Sequence, residues 1–269
     1  MTEPLLLNHV FRVVDGETFA AARDSAWLRE LFAPSELRTT RRPDWTYTGL
    51  YWYGTTTYLE LFEEGAQGPP GASGMAFAIE TPGATAAIAA AWRDTLGEAE
   101  HRLVVRPLGD EAVPWFHIAN ALPDHRGRLK LWSMEYHADF LASWHPAHTG
   151  ARGITRAEIL ERYAALSAGP ASPLLDDVVA VTLAVTPGER GFFERHAAAF
   201  AVETRDVGAS RVLSNGDLTI GLSEADDGRH GVQEIVCRLR RAAGREVLRI
   251  GRSTITVDGD RLVWKFRDV

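Results

Sequence analysis

The chain is poor in several things that would fix a class of protein. It has a single cysteine, Cys237, in 269 residues, so no internal disulfide can form. That fits a reducing cytoplasm, which is the expected location. Cys237 alternates in phase with Ile235 and Leu239, so it reads as a buried, inert thiol. No stretch approaches the ~18 to 20 uninterrupted apolar residues that a membrane-spanning helix requires. The opening "MTEPLLLNHVFRVVDG" lacks a basic leader, and Asn8 and His9 interrupt its apolar run, so it reads as a first strand and not a signal peptide. An excess of positive charge is also missing: 29 Lys and Arg stand against 36 Asp and Glu, a net −7. Phosphate backbones need a clustered positive surface, so nucleic acid is excluded as the expected partner. Neither a G-x-G-x-x-G nor a G-x-x-x-x-G-K spacing occurs, and the glycines of "GAQGPPGASG" read as a connector. Without a G-x-S-x-G elbow or an H-E-x-x-H helix, the common hydrolase classes lack support.

What the chain does have is one pattern passed through four times. "LNHVFRVVD" alternates as a strand, and "GETFAAARDSAWLRELF" carries helical spacing through Phe19, Ala22, Leu28, Leu31 and Phe32. Three strand-like runs follow: "ELRTTRR", "TYTGLYWYG" and "TTYLELFEE". The second pass opens at "GMAFAIETPG", continues into the helical "ATAAIAAAWRDTLG", and closes with "HRLVVRPL", "AVPWFHIAN" and "RLKLWSMEYH". A helix over "ITRAEILERYAALSAG" is announced by a capping box, Thr155 with Glu158 three residues on. "GPASP" then marks a boundary. Beyond it "VVAVTLAVTPGERGFFERHAAAF" echoes the first strand and helix, and "VDGDRLVWKF" echoes "DHRGRLKLWSM". Repetition at this scale is an architectural signal. In the fourth copy, the chain between Arg241 and Glu246 has room only for a turn, so its helix is expected to be lost.

A βαβββ unit used in pairs, opened by "NHVFRVVD" and closed by "YLELFE", resembles the vicinal oxygen chelate superfamily, which includes glyoxalases, extradiol dioxygenases and bleomycin-resistance proteins. The expected fold is α+β: four βαβββ modules paired into two glyoxalase-like domains, the last module degenerate. Residues 1–140 would form the N-terminal domain with the site, 141–175 a helical linker, and 176–269 a degenerate C-terminal domain that is structural or dimer-forming, which leaves room for a homodimer. The resemblance implies a cup holding a divalent metal (Fe, Mn, Zn or Ni), with ligands from the first and last strands of each module.

Carried over residue by residue, the implied metal ligands are His9 in "NHVF", Glu60 in "YLEL" and Glu135 in "LWSMEYH". The fourth ligand position would fall at Met75, a poor donor for hard cations. One imidazole and two carboxylates can form a facial set with open positions, and His137 lies two residues beyond Glu135. Either carboxylate could instead leave the ion and serve as the catalytic base. The plainer alternatives are that Glu60 hydrogen-bonds a buried tyrosine and that Glu135 pairs with Arg12 or Arg128. Aromatic residues are dense in the first half, so Tyr58, Phe11, Tyr51, Trp132 and His137 are the expected substrate contacts. His145 and His148 in "WHPAHTG" lack a nearby carboxylate or cysteine and read as a solvated loop or a lid. Two functions follow from the resemblance. One is a metal-dependent isomerase, lyase or dioxygenase acting on a small oxygenated molecule, aromatic or not. The other is a metal-free protein of the same fold that binds or sequesters a small molecule.

Overall fold

The structure, a computed structural model, describes residues 3–42, 45–108, 111–121, 128–142, 152–226 and 229–267. Two eight-stranded sheets dominate it. The first contains β1 (Leu6–Val14), β2 (Ser35–Arg42), β3 (Trp45–Tyr53), β4 (Tyr58–Glu63), β5 (Ser73–Ala78), β6 (Ala99–Leu108), β7 (Glu111–Ala121) and β8 (Leu129–Tyr136). They are ordered β2-β3-β4-β1-β5-β8-β7-β6. The second contains β9 (Leu175–Val185), β10 (Glu203–Val207), β11 (Ser210–Ser214), β12 (Thr219–Glu224), β13 (Gly231–Leu239), β14 (Arg245–Ile250), β15 (Ser253–Asp258) and β16 (Arg261–Lys265). Its order, β10-β11-β12-β9-β13-β16-β15-β14, is the same permutation. The molecule is therefore mixed α+β, with two curled sheets that resemble paired vicinal-oxygen-chelate domains.

Each helix follows from its local sequence. In the first module α1 (Gly16–Asp24) is capped by Asp15, whose side chain accepts from the Thr18 amide, satisfying a donor that has no partner in the first turn. The expected continuous helix ends at Ser25, and a single π-type turn at Leu28–Phe32 finishes the run. The second module carries α2 (Ala84–Leu96), closed by Gly97 at φ 87°. A short helix, α3 (Ala138–Ala142), leads toward α4 (Arg156–Leu166), which has the capping box read in the sequence at Thr155 and Glu158. The third module has α5 (Pro187–Ala197), with the same device at Thr186 and Glu189 and proline in its first turn.

The fourth module shows what the lost helix does to a sheet. In the second module the chain runs up β5, returns through α2, and rises again, so β8 lies parallel to β5. In the fourth, only a short turn joins β13 to β14, and every later strand changes direction. The last strand, β16, consequently pairs with β13 antiparallel. The hydrogen-bonding order is kept while the polarity inverts, since a helical return has been replaced by a short turn that leads directly to the edge strand β14.

The main core lies between the two sheets. Trp52 of the first sheet meets Trp264 of the second edge to face at 5.6 Å. Helices α2 and α5 pack in the same layer, where Trp92 stacks on His196 at 3.9 Å and Phe77 meets Phe193 at 6.4 Å. The Trp92 indole donates to the His196 carbonyl, while among the described residues neither ring nitrogen of His196 has a hydrogen-bond partner. Burial lowers the His196 pKa to about 3, so the ring sits there neutral. Polar ties also cross the layer. Arg12 donates to the carbonyls of His230 and Val232, and Glu189 accepts from the Arg128 and Leu129 amides and from the His230 ring. Cys237 is fully buried there, and burial raises its pKa.

Candidate functional site

A second apolar cluster occupies the opposite, concave face of the first sheet. Residue parity decides which side chains reach it. A bulge at Asn8 shifts the register between Leu7 and His9. Leu7 and Val10 therefore share the inter-sheet core, while His9, Phe11 and Val13 turn to the concave face. On β4, Tyr58, Glu60 and Phe62 share that face by simple alternation. The cavity is a cleft of about 700 Å³, within the usual size of a small-molecule site. Edge strands β2 and β6 curl over it with Arg38, Val104 and Arg106. From the linker, α4 closes one end: Tyr163 lies 5.5 Å from Tyr53, and its hydroxyl accepts from the Trp115 indole. The linker is thus part of the cup wall and not simply a connector.

Two glycines make the aromatic floor possible. A Cβ at Gly74 would sit 2.1 Å from the Phe11 ring, and one at Gly49 would sit 2.5 Å from Phe62. Each missing side chain is the space in which a ring lies flat against the sheet.

At the bottom, the His9 ring stacks on Tyr58 at 4.3 Å and meets Trp132 edge-on at 5.2 Å. Its Nδ1 lies 2.8 Å from the Asn8 amide oxygen, an acceptor, which assigns the proton to Nδ1. The lone pair on Nε2 then faces Glu60, 3.9 Å from the carboxyl oxygen, too far for a direct hydrogen bond. Burial raises the Glu60 pKa to about 8, with the positive charge of Arg38 pulling the other way. Burial and, secondarily, Arg38 lower the His9 pKa to about 3. At neutral pH the pair is therefore an uncharged carboxylic acid beside an uncharged imidazole.

The other expected ligand is elsewhere. Glu135 lies on the convex face of β8, where it accepts from the Gly83 amide at 2.6 Å, the Thr85 amide at 3.2 Å and the Thr85 hydroxyl at 2.7 Å. It caps the N-terminus of α2, where the helix dipole and unpaired amides favour a carboxylate. His137 is also outside the cavity. Its Nδ1 accepts from the Asp139 amide, and its ring neighbours His117 at 5.8 Å. Met75 belongs to the inter-sheet core, so the cup position on β5 is its neighbour, Ala76. The expectation that His9, Glu60 and Glu135 converge is therefore corrected: the first two meet and the third does not. Among the described residues, no three His, Cys, Asp or Glu side chains could hold one ion together. Tyr58, Phe11, Tyr51 and Trp132 line the cavity. His145 and His148 lie outside the described residues.

The metal that the resemblance implies fails on donor chemistry. Facing His9 and Glu60 among the described residues, the second module offers Ala76, Trp132, Met134 and the Tyr136 phenol, whose proton burial holds in place, so no ionised ligand for a hard divalent ion stands there. The charge that acts on both groups is the cation of Arg38, which opposes a second cation.

Sequence reasoning missed the cations of the cup. Arg38 lies over the Tyr51 ring at 4.0 Å, and Arg106 over Trp115 at 5.0 Å. Lys130 reaches the cavity from β8, and burial lowers its pKa. Strand parity could have found it, since Lys130 alternates in phase with Trp132.

Curled sheets of repeated βαβββ modules around an aromatic cup define a glyoxalase-like fold with an incomplete metal face. A family profile matches residues 7–266, and the chain belongs to that family, a family of unknown function (DUF5829). Curated proteins yield no match by sequence. Among solved structures, a hypothetical protein from Staphylococcus aureus is similar, with TM-score 0.57 and 10% identity over 92% of this chain and 96% of that one. BphC, a halotolerant catechol dioxygenase, aligns with TM-score 0.48 and 8% identity over 94% and 83% of the two chains. A mutant 4-hydroxymandelate synthase from Streptomyces coelicolor aligns with TM-score 0.36 and 19% identity over 84% and 64%. No helix among the described residues is long and apolar enough to cross a membrane.

Proposed function

We propose that the chain binds a small molecule in the N-terminal cup without a metal, the second of the two functions considered from the sequence. The observation that carries this reading is the identity of the groups around His9 and Glu60. The opposing module supplies a methyl, an indole, a thioether and a phenol that burial keeps protonated, while the carboxylate expected there caps a helix on the other face. An aromatic cavity of about 700 Å³ with a few polar groups is the usual form of a binding site for an organic molecule. Glu60 and His9 then act as a neutral hydrogen-bonding pair, a donor and an acceptor at the floor.

Two measurements on protein purified without chelators test this. Elemental analysis should find metal far below one equivalent, unchanged in His9→Ala. Nile red, a flat neutral dye, should bind with one-to-one stoichiometry, and Trp132→Ala should weaken it. Near-stoichiometric metal that is lost in His9→Ala would restore the metal-dependent reading. A cup that takes up no dye would remove the binding one.

A further inference from the structure

The charge inside the cup is opposite to the charge of the chain. The protein carries a net −7, yet the cavity is lined by four cationic side chains, Arg38, Arg41, Arg106 and Lys130, and by one carboxyl, Glu60. The four come from β2, β6 and β8, strands distant in sequence that meet only through the curl of the sheet.

Lys130 shows most clearly that a counter-charge is absent. Its ammonium donates to the Gln67 carbonyl at 3.0 Å and sits 5.9 Å from the Phe11 ring. No carboxylate among the described residues pairs with it, and none pairs with Arg106. Arg38 has a loose ion pair to Glu36 at 3.5 Å, and its guanidinium carbon lies 4.0 Å from the centre of the Tyr51 ring. A guanidinium has five N–H donors, so it suits a second carboxylate as well. Cations gathered around one cavity without a matching set of carboxylates repel one another, and an anion seated between them relieves that repulsion. Below the cations, the walls are aromatic rings whose faces accept a planar body.

We propose that the ligand of this cup is a flat organic anion, an aromatic or conjugated carboxylate. Its acid group lies between Arg38 and Lys130, and its ring system lies against Phe11 and Trp132. The inference rests on the small-molecule reading above and specifies its chemical class. A far end bearing a carbonyl or hydroxyl would meet the Glu60–His9 pair.

The test uses 2-naphthoate and its uncharged amide, 2-naphthamide, each competed against Nile red and titrated by calorimetry. Naphthoate should bind at least about tenfold more tightly than the amide, the ratio expected for one charge-assisted contact. Lys130→Met should remove about that factor for naphthoate and bring the naphthoate-to-naphthamide ratio toward one. Lys130 is an exposed residue, so this variant should fold normally. Arg38→Gln provides an independent second variant with the same expectation. If Nile red binds and the amide matches or exceeds the acid, the anionic class is wrong while the binding cup stands. If neither probe nor dye binds, both readings fail.

Discussion

The protonation states at the floor of the cup dictate how stability should vary with pH. Glu60 has a folded pKa near 8 against an ordinary 4.5. The unfolded chain is therefore ionised at this residue across a window in which the folded protein still holds the proton. Folding then binds a proton, and stability falls as pH rises through that window, by about 1.4 kcal/mol per unit for one group. His9 and His196 act in the opposite sense. Each is about 3 when folded against 6.5 unfolded, so each contributes stability that is full above 6.5 and is lost progressively as pH falls toward 3. Between 4.5 and 6.5 these two histidine slopes, joined by a contribution of the same sign from His117, whose pKa partial burial lowers, oppose one carboxyl slope, leaving a net gain of at least about 1.4 kcal/mol per unit as pH rises. Above 6.5 only Glu60 acts, and about 2 kcal/mol should be lost by pH 8. Urea unfolding from pH 5 to 8.5 should therefore show a maximum near 6.5. Glu60→Gln should abolish the alkaline decline, and His196→Phe should flatten the acid limb. A wild-type curve that is level or rising from 6.5 to 8 would refute the reasoning, as would a decline that persists in Glu60→Gln.

The order of modules was legible because it depends on local signals: alternation, helical spacing, capping boxes and glycine or proline punctuation. The lost fourth helix was legible from the short interval between Arg241 and Glu246. The facing of β1 and β4 was also readable, since His9 sits beside a single bulge and Tyr58, Glu60 and Phe62 alternate cleanly. The facing of β8 was not readable. Both of its faces are buried, one by Leu129, Leu131 and Ser133 and the other by Met134 and Tyr136 with half-buried Trp132, so a hydrophobic pattern cannot say which is the cup. The resemblance implied Glu135 as a ligand because it falls at the closing-strand carboxylate position. Its partner is the start of α2, about fifty residues earlier in the chain, and no local rule connects the two. Met75 was misplaced for the same reason, by one residue. The cations were missed because no local motif marks Arg38 or Lys130, and only curvature brings β2 and β8 around a common space.

Two further substitutions separate scaffold from site. Glu135→Ala should lower stability by about 1 to 2 kcal/mol through loss of the α2 cap. It should leave metal content and dye binding unchanged; loss of either would return Glu135 to the site. Gly74→Ala probes the floor of the cup directly. The new methyl would overlap the Phe11 ring, placed 2.1 Å away, and the fully packed β1 and β5 leave no room for the backbone to withdraw. The ring must therefore tilt up into the cavity. Overpacking of this kind costs about 1 to 3 kcal/mol, visible in the urea midpoint. Nile red affinity should fall with it, because Phe11 would occupy the volume the dye needs. Pairing Gly74→Ala with Phe11→Leu should recover much of the lost stability, since the shorter side chain removes the overlap while keeping the apolar contact. If the double variant is less stable than either single one, the close approach of Phe11 to Gly74 is not what shapes the cup.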